Sequence, residues 1–277
     1  MGKNFLNNIE FHPKLDKLTP LNTGKTFILH KDIKYFVKFD QNEEVIYSEY
    51  RCLYFLDEKN ISLFPKPFGF FNHFDGAYLI CEFINFKEKN NFYELGKELA
   101  KFHQNINNNY GFYHDTYCGP TLQINSWNRN WYDFFFNTKI KYQLDLAIKK
   151  KHVDKNYSKM VLDLLKKNKY FFADRTPSLI HGDLWSGNIG TDIHNKPRLF
   201  DPSLYYGDYE ADIAMTELFG GFDQKFYEGY SQIKKLEPGY KKRINFYKLY
   251  HILNHLNIFG SSYKHNLDNI IKKIVST

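Results

Sequence analysis

The stretch from His181 to Asn188, together with Asp201, restricts the possible folds of this chain more than any other part of the sequence. It reads His-Gly-Asp-Leu-Trp-Ser-Gly-Asn, and Asp183 stands five positions before Asn188. The catalytic loop of phosphoryl-transfer enzymes has the same spacing, with an Asp that orients a substrate hydroxyl and an Asn that holds Mg²⁺. Asp201 ends an apolar run after a turn-forming segment, so a hairpin would return its carboxylate to the same ion. The stretch predicts an Asp183 base beside a magnesium site formed by Asn188 and Asp201.

Trp185, two residues after the predicted base, offers a flat apolar face on which a sugar ring can stack. The structural alternative for the whole stretch is a loop of polar residues around a buried Trp. The sequence His-Gly-Asp directly before Leu-Trp, together with the downstream Asp201, favours the catalytic interpretation.

The N-terminal third predicts a small antiparallel sheet that carries a nucleotide-binding lysine. Residues 26–30 and 35–39 are short β-prone runs that form a hairpin, and Lys38 ends the second run as the lysine of V-A-I-K does in kinases. The next segment predicts a helix that places Glu49 inward, with apolar positions at Ile46, Tyr50 and Leu53. Glu49 is then able to pair with Lys38 and hold it against the nucleotide phosphates. A surface Lys and a solvated Glu are the structural alternatives.

The turn at residues 21–26 contains Gly24-Lys-Thr but does not fit the Walker A pattern. Thr19 stands where that pattern needs its first Gly, and a strand follows where a helix is required. In a kinase-like fold the backbone N–H groups of this turn would cover the nucleotide phosphates, and Gly24 would permit the close approach.

The rest of the chain predicts one more hairpin and then mainly helices. Asp75-Gly76 between two apolar runs indicates a tight hairpin turn. Helical spacing follows in three segments, which begin at Asn91, cover 131–170, and surround His251 and His255. We expect His251 to be packed in the core, and the His pair lacks the Glu of a zinc-binding H-E-x-x-H helix.

Bulk properties limit the classes of protein to consider. With 277 residues and 43% hydrophobic residues, the chain has ample material for a large core or two lobes. The net charge of +7 and the pI near 9.0 suit anionic ligands, but the lysines are scattered and no nucleic-acid-binding module is evident. Three widely spaced cysteines indicate neither a disulfide scaffold nor a zinc site. With no signal-peptide core and no membrane-length apolar stretch, we expect a cytoplasmic protein.

The motif at 181–188 resembles the signature of the fructosamine kinase, or ketosamine-3-kinase, family. That family is related to the aminoglycoside and choline phosphotransferases and shares the fold of protein kinases. Three further stretches carry the resemblance: 111–120 with Thr-Tyr-Cys-Gly-Pro, 206–222 with Tyr-Gly-Asp-Tyr-Glu-Ala-Asp, and 250–255 with Tyr-His-Ile-Leu-Asn-His. They extend over most of the chain beyond residue 100.

The resemblance implies an α+β, protein-kinase-like fold of two lobes. Residues 1–83 would form a small antiparallel-sheet lobe that binds the nucleotide, and residues 84–277 a larger, mainly helical lobe for catalysis and substrate. It also implies that backbone groups of Glu82 and Phe83 bind adenine and that Asp212 anchors the catalytic-loop backbone. The acceptor side of the site would include Trp185, His181 and His255.

The activity implied is ATP-dependent and Mg²⁺-dependent phosphorylation of the 3-hydroxyl of ketosamines. The acceptors would be ribulosamine, erythrulosamine or fructosamine adducts, free or bound to protein, and the role would be protein deglycation. We expect a monomer or weak homodimer with neither nucleic-acid nor membrane partners. The alternatives are a kinase for aminoglycosides or choline, a nucleotide-binding pseudokinase, and a nucleic-acid-binding protein suggested by net charge alone.

Overall fold

A five-stranded antiparallel sheet forms the first part of the molecule. The computed structural model describes residues 19–20, 26–30 and 33–276. The strands are β1 (Thr19–Pro20), β2 (Thr26–His30), β3 (Ile33–Asp40), β4 (Pro67–His73) and β5 (Gly76–Glu82). Their spatial order is β1-β2-β3-β5-β4. The two predicted hairpins, β2 with β3 and β4 with β5, are confirmed, whereas Gly24 lies outside the described residues.

Helix α1 (Glu43–Glu58) packs against this sheet, as its apolar spacing predicted. The helix begins after Asn42, whose side-chain oxygen accepts a hydrogen bond of 3.2 Å from the backbone N–H of Glu44. Its buried stripe includes Ile46, Leu53 and Leu56. This orientation turns Glu49, on the same face, toward strand β3 and Lys38.

The second part of the molecule is mainly helical. Its helices are α2 (Phe92–Phe102), α3 (Trp131–Phe134), α4 (Tyr142–Lys149), α5 (Lys155–Lys167), α6 (Glu210–Leu218), α7 (Gln224–Ile233), α8 (Tyr240–Phe259) and α9 (Lys264–Val275). The segment predicted as helical over 131–170 contains α3, a π-helical stretch Phe135–Lys141, α4 and α5, with a break before Lys155. No helix within the described ranges is long and apolar enough to cross a bilayer.

Short antiparallel strand pairs connect these helices and carry the loops between them. They are β6 (Thr116–Cys118) with β7 (Thr121–Gln123), β8 (Ser178–Ile180) with β11 (Tyr205–Gly207), and β9 (Ile189–Thr191) with β10 (Pro197–Leu199). One continuous cluster of buried apolar side chains runs from α1 to α9. The lobe boundary at residue 83 stays a prediction.

Candidate active site

The three residues singled out by the sequence line one cleft. Asp183, Asn188 and Asp201 face a cavity that Lys38 and Glu49 also line, from the sheet side of the molecule. Trp185 stands on the same wall and is 42% exposed, so its ring is accessible from the cleft. The tertiary fold therefore brings Lys38 and Glu49, which are distant in sequence, to the carboxylates and the amide of residues 183–201.

Lys38, on strand β3, makes two ion pairs. One is with Glu49 on helix α1 and the other is with Asp201. Its Nζ lies 2.7 Å from Glu49 Oε2 and 3.0 Å from Asp201 Oδ1. Burial alone would lower the pKa of the Lys38 ammonium, but the two carboxylates outweigh it and raise the pKa. Lys38 is therefore a fixed positive charge in the cleft, and the predicted pair with Glu49 is present.

The backbone of the catalytic loop is held by the buried carboxylate of Asp212. Its two oxygens accept hydrogen bonds from the N–H groups of His181, at 2.7 Å, and Gly182, at 2.9 Å. His103 Nε2 lies 3.1 Å from the same carboxylate, and its Nδ1 lies 2.8 Å from the hydroxyl of Tyr230. Burial would raise the pKa of Asp212, but these hydrogen bonds lower it below the ordinary value. Asp212 has the structural role expected for it.

Gly182 is required for the sharp turn before Asp183. Its backbone φ is +82°, and a Cβ at this position would lie 2.2 Å from the backbone oxygen of Ser203. Only glycine fits this left-handed conformation and this close approach of two chain segments. The turn aims the Asp183 side chain into the cleft.

Burial, and then the negative charge of Asp201, raise the pKa of the Asp183 carboxyl to about 7. Asn188 Nδ2 donates a hydrogen bond of 2.9 Å to the backbone oxygen of Asp183, which leaves the amide oxygen of Asn188 for a cation. The β9–β10 hairpin returns the chain to Asp201, whose φ of +51° places it in the left-handed region. Asp tolerates this region better than most residues do, because its short polar side chain bonds locally.

The predicted substrate role of His181 needs correction. Its side chain is fully buried and does not line the cleft. His181 Nε2 donates a 2.7 Å hydrogen bond to the backbone oxygen of Phe200, and Nδ1 accepts a 3.2 Å bond from the N–H of Asp183. Both nitrogens are engaged with backbone groups, so this ring positions the loop and does not reach a substrate.

Three other predicted site residues, His255, Glu82 and Phe83, are not among the residues that line this cleft. His255 is half-buried in an aromatic cluster and Nδ1 donates a 2.8 Å hydrogen bond to the backbone oxygen of His251. The N–H of Glu82 donates to the backbone oxygen of Lys66, and the side chain of Glu82 pairs with Arg198. Phe83 directly follows strand β5. The adenine and acceptor roles stay predictions.

Sequence reasoning missed several residues at this site. Tyr117 and Ser48 line the cleft, and Cys118 and His251 lie next to Asp183. Ser48, Cys118 and His251 come from separate elements, so no local spacing connects them with Asp183. Tyr117, Cys118 and His251 lie in the family-like stretches 111–120 and 250–255, but the pattern did not assign them to this site.

Known proteins share sequence with this chain over most of its length. The sequence model of the fructosamine kinase family matches residues 13–277. The probable ketoamine kinase of Synechocystis sp. is 38% identical over 247 residues, which cover 87% of this chain and 82% of that protein. The chloroplastic protein-ribulosamine 3-kinase of Arabidopsis thaliana is 39% identical over 201 residues, covering 71% of this chain and 61% of that protein.

Solved structures give the same result for the fold. A candidate fructosamine-3-kinase from Haemophilus somnus superposes with a TM-score of 0.82 at 28% identity, covering 90% of this chain and 86% of that chain. A thermostable mutant of the aminoglycoside phosphotransferase APH(4)-Ia superposes with a TM-score of 0.61 at 15% identity, covering 94% of this chain and 95% of that chain, which shows the fold alone. The predicted α+β, protein-kinase-like fold is confirmed, and this chain belongs to the fructosamine kinase family.

Proposed function

We propose that this protein is an ATP-dependent kinase that phosphorylates the 3-hydroxyl of ketosamines. Family membership supports this proposal, as do relatives that bear the names ketoamine kinase and protein-ribulosamine 3-kinase. The single observation that carries it is the convergence of Asp183, Asn188, Asp201 and Lys38 on one cleft beside the exposed ring of Trp185. Phosphoryl transfer depends on such positioning and charge neutralisation more than on covalent chemistry.

Asp183 is the group that takes the proton from the attacking hydroxyl. A general base works best when its pKa lies near the working pH, and burial raises the pKa of Asp183 to about 7. Gly182 and the hydrogen bonds from the loop backbone to Asp212 fix the position of this carboxyl.

Asn188 and Asp201 have the donor atoms that suit Mg²⁺. The amide oxygen of Asn188 and the carboxylate of Asp201 are hard oxygen ligands, the type that Mg²⁺ prefers. Asn188 and Asp201 would hold Mg²⁺ beside the nucleotide, and the ion would supply positive charge against the phosphate charge that develops during transfer. Lys38, held by Glu49, supplies a second positive charge for the phosphate oxygens.

The acceptor side favours a sugar over a cationic acceptor. Trp185 presents an apolar face to the cleft, and Tyr117 lines the same cavity. Aminoglycosides and choline carry cationic groups, for which we would expect an acidic acceptor surface. A ribulosamine, erythrulosamine or fructosamine fits an aromatic wall through stacking of its sugar. The 3-phosphorylated product is unstable and releases the free amine, which would make the reaction a repair of glycated proteins.

Several narrower assignments belong to the same proposal. Because the N–H of Glu82 is bound to Lys66, adenine recognition by Glu82 would use its carbonyl oxygen, together with the backbone of Phe83. Gly24 would cover the phosphates and His255 would border the acceptor. The protein would act in the cytoplasm as a monomer or weak homodimer.

An acceptor screen tests the proposed function. Purified protein with Mg²⁺ and ATP is assayed against ribulose-lysine, fructose-lysine, choline and kanamycin, with ADP release and phosphorylated product both measured. We expect turnover of at least one ketosamine and none of choline or kanamycin. Turnover restricted to choline or kanamycin would favour the related kinase classes, and ATP binding with no turnover on any acceptor would favour a pseudokinase.

A further inference from the structure

The proposed base, Asp183, lies in a cluster of three side chains that can each bind a metal ion through a different element. Cys118 Sγ, a carboxylate oxygen of Asp183 and a ring nitrogen of His251 all lie within 4.8 Å of one another. Cys118 ends strand β6, Asp183 belongs to the catalytic loop and His251 lies on helix α8. The function proposed above uses Asp183 alone among the three.

His251 is the member of this cluster whose presence calls for an explanation. Its side chain is 3% exposed, and within the part of the chain that the structure describes its Nδ1 has no hydrogen-bond partner. A buried polar atom without a partner costs free energy, so such atoms commonly mark a site for a ligand or a functional group. Burial, and then the nearby His255, lower the pKa of His251 to about 3. The ring is therefore neutral at pH 7, the form that binds metals.

Cys118 is placed to serve as a thiolate ligand. It is 2% exposed, and Asn254 Nδ2 donates a 3.3 Å hydrogen bond to its sulfur. Burial raises the pKa of the free thiol well above its ordinary value, so the sulfur keeps its proton in the absence of a cation. A coordinating metal ion removes that proton to solvent, and the amide N–H then stabilises the thiolate.

The cluster borders the cleft through Asp183. Tyr117 and Gly119, the residues on either side of Cys118, line the same cavity as Asp183. Asp183 is the member of the cluster that faces the cleft, whereas Cys118 and His251 are buried behind it. An ion that enters the cleft would therefore meet the carboxylate of Asp183 first.

We propose that Cys118, Asp183 and His251 form a site for a divalent cation that accepts thiolate and imidazole ligands, with Zn²⁺ as the best fit. One sulfur, one nitrogen and one oxygen ligand with an open fourth position is a set that tetrahedral Zn²⁺ accepts. This site is separate from the all-oxygen Mg²⁺ site of Asn188 and Asp201. A zinc-bound Asp183 cannot take the proton of the acceptor, so zinc would inhibit phosphoryl transfer. The inhibition rests on the proposed function, whereas the binding does not.

Cobalt is the probe for binding, because a thiolate bound to Co²⁺ gives a charge-transfer band in the near ultraviolet. The full chain, free of nucleotide and Mg²⁺, is titrated with Co²⁺, and zinc is then added to displace it. We expect one equivalent of Co²⁺ to produce the band in the native protein. Cys118→Ser should abolish the band, and His251→Gln should weaken Co²⁺ binding at least tenfold.

The matched control is Cys52→Ser, because the Cys52 sulfur also lies near a histidine, 3.9 Å from His114 Nε2. This variant should keep the band. Absence of the band in the native protein, its persistence in Cys118→Ser or its loss in Cys52→Ser would each overturn the proposal. Thermal unfolding of every variant shows whether the folded state has been retained.

The activity test compares inhibition as a ratio, so that changes in basal turnover cancel. Ketosamine phosphorylation is measured in a large excess of Mg²⁺ and ATP, with and without micromolar Zn²⁺. We expect Cys118→Ser to need at least tenfold more Zn²⁺ for half-inhibition than the native protein or Cys52→Ser. A cobalt band in a protein without kinase activity would support the metal site and contradict the proposed function. Kinase activity in a protein without the cobalt band would support the proposed function and contradict the metal site.

Discussion

At the scale of single residues, Asp183 has a property that favours catalysis and disfavours folding. Burial and the charge of Asp201 raise the pKa of its carboxyl to about 7. In the unfolded chain this carboxyl ionises near its ordinary pKa of 3.8, so the unfolded state loses its proton first as the pH rises. Native stability therefore falls between about pH 4 and pH 7 because of this residue, and the loss is complete above pH 7.

Asp183→Asn should accordingly stabilise the protein at pH 8 while abolishing transfer. We expect the variant to be more stable by about 2 kcal/mol at pH 8, after a discount for partial exposure, and the difference to shrink at pH 5. Turnover should fall at least about 10²-fold. Thermal unfolding in EDTA at both pH values, together with the kinase assay, measures these effects. An active variant, or a stability difference that does not change with pH, would contradict the assignment.

Two substitutions of Asp201 distinguish its backbone conformation, which folding requires, from its negative charge, which Mg²⁺ binding requires. Its φ is +51°, a conformation that Asn adopts readily and β-branched residues avoid. Asp201→Asn should preserve folding but raise the Mg²⁺ concentration needed for half-maximal activity at least tenfold. Asp201→Val should lose activity and also about 1–2 kcal/mol of stability. Unfolding curves and Mg²⁺ titrations of the two variants measure the two effects, and equal stability losses would disprove the separation.

At the scale of elements, helices α2 and α7 pack with their backbones in direct contact at two glycines. A Cβ on Gly96 would lie 2.0 Å from the backbone oxygen of Phe226, and one on Gly229 would lie 2.0 Å from that of Tyr93. Helix α2 also carries the chain to His103, which contacts Asp212 under the catalytic loop. The close contact of these two helices therefore helps to hold His103 against Asp212, which binds the backbone of the catalytic loop.

Gly229→Ala tests this contact, because helix propensity and packing predict opposite results. In an open helix the change would stabilise by about 1 kcal/mol. Here we expect destabilisation by about 1–3 kcal/mol, since the methyl group has no room. Ser231→Ala, at an exposed position of the same helix, is the control and should remain within about 0.5 kcal/mol of the native protein. Denaturant unfolding measures both, and a stabilised Gly229→Ala would refute the close packing.

At the scale of the whole molecule, one ammonium group connects the sheet, helix α1 and the catalytic segment. Lys38 on β3 pairs with Glu49 on α1 and with Asp201 beyond β10. A nucleotide bound between these parts would stabilise the folded protein as a unit, because a ligand that binds only the native state adds to its stability.

Mg²⁺ and ATP at about 100 times the dissociation constant should stabilise the native protein by about 2.7 kcal/mol. Lys38→Met should lose most of that gain, and the surface variant Lys141→Met should retain it. The quantity compared is the shift in Tm caused by the nucleotide, since removing Lys38 also leaves Glu49 without its cation. A full shift in Lys38→Met would exclude Lys38 from nucleotide binding.

The sequence by itself determined those features that depend on neighbouring residues. Short β-prone runs and the Asp75-Gly76 turn predicted the two hairpins, and helical spacing predicted helix α1. The interval between Asp183 and Asn188 predicted the catalytic loop. The inward position of Glu49 also followed from spacing, because side chains on one helical face recur every three to four residues. These features are local, so the chain specifies them before it folds.

Only the tertiary structure decided which distant groups meet. It buried His181 against the backbone of Phe200, whereas the family resemblance implied a substrate contact for this residue. It also placed Cys118 and His251 beside Asp183, although neither shares a spacing pattern with that residue. Such contacts depend on how β6, the catalytic loop and α8 pack around one core. The free energy of burial over the whole molecule fixes that packing, and no short stretch of sequence contains it.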